Sequence, residues 1–68
     1  NPASNNINVV AKSMNNITVF NAIGQVVVTK NVDGDNVTLD ISYLRNGTYI
    51  VRVVAENEVF EERINIID

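Results

Sequence analysis

Residues 44–55 read LRNGTYIVRVVA: an Asn-Gly pair, then a run of β-branched side chains with a tyrosine near its start. Successive side chains of a strand point to opposite faces, which puts Tyr49, Val51, Val53 and Ala55 on one side and Ile50, Arg52 and Val54 on the other. Both sides are apolar apart from Arg52, the pattern of an inner strand whose second face is partly covered, or covered when a partner binds. Leu44, Gly47 and Tyr49 have the Leu-x-x-Gly-x-Tyr spacing of a tyrosine corner, in which the ring at the start of a strand turns its hydroxyl back to a main-chain oxygen upstream. The acceptor is expected between Asp40 and Leu44. A corner of this kind links two packed sheets, so the chain reads as a β-sandwich rather than a small barrel.

The flanking sequence follows the same period. Ile7, Val9 and Ala11 share a face, as do Ile17 and Val19, with Thr18 and Phe20 opposite them. In TVFNAIGQVVV, Asn21 starts an Asx turn and Gly24 supplies a positive φ, which predicts a hairpin with a Gly bulge. Val26 and Val28 are expected inward on its second strand. Asp33-Gly34 is a favoured turn pair and is expected to separate that strand from VTLDI, where Val37, Leu39 and Ile41 share a face. After the turn at residues 56–58, Phe60, Ile64 and Ile66 alternate with Glu61, Arg63 and Asn65. Glu62 interrupts the inward row, which reads either as a charge that protects an edge strand from pairing with strangers or as the mark of a bulge near Phe60. About six or seven short strands result. Residues 1–6, with the only proline, Pro2, read as a lead-in, and residues 7–68 as one sandwich domain.

Bulk properties narrow the function. A chain of 68 residues buries only about 60% of its unfolded surface, so packing margins are thin. It has no cysteine, hence neither a disulfide nor a thiolate. The net charge is −3 and the five basic residues are scattered, which argues against a nucleic-acid partner. Apolar runs are too short to span a bilayer, so no membrane insertion is expected. The chain opens on Asn1 rather than Met and reads as the end, or an internal module, of a larger protein.

Catalysis near neutral pH finds no His and no Cys here, and no cofactor is expected. Asp33 and Asp35 lack the spacing of an EF-hand loop and read as turn residues. The cluster of Glu56, Glu58, Glu61 and Glu62 has no cleft to serve as a glycosidase pair, and reads as a solvated hairpin. Asn-x-Thr sequons at Asn16, Asn36 and Asn46 are little more than chance supplies and also read as turns. Phe20 and Tyr43 are the candidates for stacking on a sugar, although isolated rings more often close a core. Arg45 and Arg52 are candidates for contact with a partner, and solvation with cross-strand pairing to glutamate is the favoured reading.

Several of these segments resemble a known family. DISYLRNGTYIVRV, residues 40–53, resembles the Asp-Ile/Val-Ser-x-Leu-x-x-Gly-x-Tyr-x-Val-x-Val stretch of the C-terminal sorting domains of the type IX secretion system of Bacteroidetes. ITVFNAIGQVV, residues 17–27, is similar to that family's Asn-x-x-Gly-Gln hairpin, NPA at residues 1–3 to its opening, and ERINI at residues 62–66 to its last strand. Two departures stand out: the chain stops at Asp68 where members commonly have Lys or Gln, and Asn57-Glu58 replaces the usual Asn-Gly or Asp-Gly.

The resemblance implies an immunoglobulin-like antiparallel sandwich that acts as a secretion signal for cargo upstream of it. It implies passage through the periplasm and the outer-membrane translocon, then removal by a sortase-like protease, with attachment of cargo to surface lipopolysaccharide. The partner-recognition residues carried over from the family are Gly47, Tyr49, Val51, Val53, Phe60, Arg63, Ile64 and Ile66. Asn21, Gly24, Leu44, Gly47 and Tyr49 shape the turns and the corner. An exposed terminal edge also predicts homodimers, edge to edge or by strand swapping. The competing reading is an adhesion or carbohydrate-binding sandwich attached to a secreted enzyme.

Overall fold

The computed structural model describes Pro2–Ala3 and residues 6–67. Asn1, Ser4, Asn5 and Asp68 lie outside the described residues, and with them part of the lead-in and the terminal position at which the chain departs from its family. The strands are β1 (Pro2–Ala3), β2 (Asn6–Phe20), β3 (Val26–Asp40), β4 (Gly47–Ala55) and β5 (Val59–Ile66). They form one hydrogen-bonded sheet in the order β1-β5-β4-β2-β3, antiparallel except for the β1/β5 pair, where Pro2 meets Asn65 and Ala3 meets Ile66.

Against the expected six or seven strands, the six read from residue 7 onward become four because two pairs of them are continuous, and Pro2–Ala3 of the expected lead-in adds a fifth. Asp33-Gly34 does not reverse the chain: β3 runs through it, and β2 likewise joins the two segments expected on either side of Ser13. Both strands bend sharply instead. From the Val10/Asn36 pair to the Met14/Gly34 pair, β2 advances four residues while β3 advances two. Such a bulge kinks the bulged strand and increases its twist. At the bend Gly34 has φ +143° and Ser13 has φ +57°, the one non-glycine at positive φ among the described residues. The Ser13 N–H donates to Asp35 Oδ1 at 2.9 Å, and its carbonyl accepts the Glu56 N–H at 2.9 Å. The aspartate of a presumed turn thus pins the corner of a folded sheet.

Beyond the bend, residues 6–10 of β2 and 36–40 of β3 fold back over the inner face of β4 and β5, producing a two-layer sandwich from a single sheet. Pairing of β2 with β4 starts only at Met14, after the bend. Ile17, Val19, Val51, Val53, Ile64 and Ile66 from the larger layer meet Leu39 and Ile41, all buried, with Ile7, Val9 and Val37 packed against them. Burying such side chains, at about 1.5–3 kcal/mol each, is the main support of a chain without disulfides.

One inward assignment fails. Val26 is 56% exposed, while Val27 and Val28 pack on the core. Val19 pairs with Val28 but Phe20 pairs with Val26, so Val27 is an extra residue and the alternation slips there.

Left-handed backbone costs an L-residue roughly 1–2 kcal/mol. Ser13→Gly is therefore expected to raise stability by about 0.5–1 kcal/mol, the unfolded-state entropy of glycine offsetting part of the relief. Urea denaturation of the two chains checks this; a lower midpoint for the glycine variant would contradict it.

Candidate recognition site at the tyrosine corner and terminal strands

The corner is assembled from four short-range bonds. Asp40 Oδ1 accepts the Ser42 hydroxyl at 2.7 Å and the Ser42 N–H at 2.9 Å, an Asx turn that ends β3. The Leu44 N–H then donates to the Ile41 carbonyl at 3.0 Å, closing a turn around the buried Ile41. Finally the Tyr49 hydroxyl donates to the Arg45 carbonyl at 2.7 Å. The acceptor lies one residue beyond the expected range of Asp40 to Leu44, because the turn brings the Arg45 carbonyl, four residues upstream, to the hydroxyl. Leu44 packs on the core and Gly47, at φ +154°, opens β4 beside the tyrosine ring. The Asp-x-Ser element of the motif is thus a structural staple, a role that sequence reading had not assigned to Asp40 or Ser42.

The Ser42 hydroxyl, and then the Ser42 N–H, hold the Asp40 carboxyl below the usual carboxylate range. A group whose value is lowered on folding contributes stability that is present above its unfolded value and lost as pH falls through the folded one. Asp40→Asn keeps an acceptor but removes the titration. Its thermal stability is expected to fall less between neutral and strongly acid pH than that of the parent chain. Parallel acid limbs in the two melting profiles would refute the staple's charge.

A matching staple forms the β2/β3 loop. Asn21 Oδ1 accepts the Ile23 N–H at 3.1 Å and the Gln25 N–H at 2.9 Å, and its Nδ2 donates to Gln25 Oε1 at 2.9 Å. Gly24 sits at φ +88°, as the Asn-x-x-Gly-Gln pattern predicts. This loop shares a shallow depression with residues 45–48, so both family-like motifs meet at one end of the sandwich.

The residues carried over for partner recognition divide by burial. Tyr49, Val51, Val53, Ile64 and Ile66 are between 1% and 7% exposed and belong to the core. Phe60 is 38% exposed, and Arg63 and Gly47 are exposed. Phe60 and Glu62 lie on the inner side of β5 with Ile64, where the sandwich is open.

On the outer face, Arg52 pairs with Glu61 at 2.9 Å in the cross-strand position expected for it, and its guanidinium stands 4.7 Å from the centre of the Phe20 ring. That stacking occupies a face of Phe20, one of the two rings considered for sugar binding, and leaves Tyr43, 64% exposed, as a single ring. Toward β3 the same face turns polar, with Asn16 bonded to Asn31 and Thr18 to Asn16. The last turn closes through the Ala55 N–H on the Glu58 carbonyl at 2.8 Å, and no positive φ occurs at Asn57 or Glu58, so glycine is not required there.

Two layers, a tyrosine corner and a terminal strand paired along one side define a small immunoglobulin-like β-sandwich module. Within that class the chain belongs to the family described as the secretion system C-terminal sorting domain, whose model matches residues 1–67. It is a C-terminal sorting domain of type IX secretion. No curated protein matches the chain. Among solved structures, it is similar to one titled "The structure of CBM51-2 and INT domains from Clostridium perfringens ZmpB", with a TM-score of 0.67 and 20% identity. The likeness covers 96% of this chain and 16% of that one, and it concerns the fold.

Proposed function

We propose that this domain is the address that takes a cargo protein through the type IX translocon, is read at its terminal strand, and is then cut away by a sortase-like protease as the cargo passes to surface lipopolysaccharide. The observation that carries this reading is the family match over residues 1–67. The address performs no chemistry of its own. Buried Tyr49, Val51, Val53, Ile64 and Ile66 hold the shape, while Phe60, Arg63 and the outer edge of β5 meet the machinery.

A physical route to recognition supports the assignment. On its outer side β5 is paired with β1 only at Asn65 and Ile66, which leaves the edge from Val59 to Ile64 without a strand partner among the described residues. An extended receptor segment adds to such an edge through main-chain hydrogen bonds, with alternate side chains giving selectivity. The same edge supports self-association.

Deleting the domain from its parent tests the reading. Cargo stranded in the periplasm is the expected result, and normal export with lost surface binding would favour an adhesion module instead. Mass spectrometry of surface-located cargo tests removal: peptides from residues 7–67 persisting in the mature protein would overturn it.

A further inference from the structure

The sandwich is uneven. Its larger layer contains β5, β4, residues 14–20 of β2 and residues 26–34 of β3, whereas its smaller layer is only the pair of half-strands at residues 6–10 and 36–40. One side of residues 6–10 is paired with β3; on the other side no strand follows among the described residues. That unpaired edge borders a cavity of about 280 Å³ between the layers. Consecutive residues 7–10 all line it, and Val53, Phe60 and Glu62 form the opposite wall. Side chains of a strand alternate, so four consecutive residues line one space only where the backbone edge itself faces it.

We propose that this groove docks an extended peptide segment of another protein carrying a lysine or arginine, which adds to residues 6–10 as the third strand of the smaller layer. Three features select that occupant. An unsatisfied strand edge pairs with another strand, and the main chain supplies the bonds. The lips are apolar, with Val10 65% and Phe60 38% exposed, which suits alternate apolar side chains pointing inward. Glu62 stands in the otherwise apolar inner row between Phe60 and Ile64, exposed, and no cation pairs with it among the described residues. A basic side chain on the incoming strand answers it. A second copy of this chain brings the same Glu62 and the same net charge of −3, so a copy is the poorer occupant. The space is also at the small end for a compact ligand, whose pockets run from roughly 300 to 1,000 Å³.

The pairing edge at residues 6–10 is distinct from the outer edge of β5, although the groove shares Phe60 with the surface proposed to meet the export machinery. The test uses the 68-residue chain, ¹⁵N-labelled. It is titrated with a heptapeptide of alternating valine and threonine around a central lysine, and with the counterpart carrying a central glutamate. The lysine peptide is expected to shift the amides of residues 6–10 and to bind about fivefold more tightly than the glutamate peptide, as opposite rather than like charges face each other. In Glu62→Lys, an exposed position, the preference is expected to reverse. Equal binding of both peptides, shifts confined to the outer edge of β5, or closure of the groove by a second copy in sedimentation without peptide would each overturn the proposal.

Discussion

Met14→Ala is expected to remove about 2–5 kcal/mol, the largest loss of any single truncation considered for this chain. Met14 is 1% exposed and pairs with Gly34 on one side and Ala55 on the other, at the bend where the two layers part. The side chain belongs to the buried core cluster, and the neighbouring backbone, fixed by the Ser13 bonds to Asp35 and Glu56, has little freedom to collapse into the space. Natural domains hold about 0.05–0.15 kcal/mol per residue, or roughly 3–10 kcal/mol for this length. The alanine variant is therefore expected to lose a large share of that margin and to unfold at a much lower urea midpoint than the parent. Met14→Leu, which conserves volume, is expected to cost under about 1.5 kcal/mol. Urea denaturation followed by far-ultraviolet circular dichroism distinguishes the three chains; an alanine variant with the parental midpoint would mean that Met14 is not a keystone.

The second large effect is expected from removing one oxygen. Tyr49→Phe keeps the ring, 7% exposed, and deletes the donor that reaches the Arg45 carbonyl at 2.7 Å. The carbonyl loses a bond in a part-buried setting, which costs about 1–2 kcal/mol. For a domain this small each kcal/mol moves the melting temperature by roughly 4–8 °C. The corner lies at one end of β4, so its loss is expected to add to a Met14 substitution rather than duplicate it. An unchanged melting temperature in the phenylalanine variant would count against the hydroxyl as a stabilising group.

Local signals with a short-range mechanism were legible before any coordinates. Asn21, Gly24 and Tyr49 act within four residues of themselves, and the alternation of 49, 51, 53 and 55 is as written in the sequence. What escaped is nonlocal. Asp-Gly at 33–34 signals a chain reversal when read alone, but here Gly34 faces Met14 across a bulge, and the turn chemistry is spent on bending a strand that continues. Nothing local to Ser13 announces its left-handed backbone, since the bonds that hold it come from Asp35 and Glu56, far along the chain. Val26 was misassigned because a one-residue bulge flips the faces that follow it. The unpaired edge at residues 6–10 was likewise invisible, because an edge is defined by which strands fail to arrive. The proposed recognition residues came from family likeness alone: burial separates exposed Phe60 and Arg63 from the core residues beside them, and burial is a property of the packed chain.

The bend at Ser13 and Gly34 also divides the molecule into two regions of unequal permanence. Residues 6–10 and 36–40 hang from it as a flap, attached by their own ladder, with Ile7, Val9 and Val37 only half-buried and Leu39 well covered. Ile17 and Val19, on the other side of the bend, sit between β3 and β4 and are fully covered. The amides of the flap are thus expected to exchange with solvent faster than those of Ile17 and Val19 in the four-stranded body, because less buried surface holds the flap down.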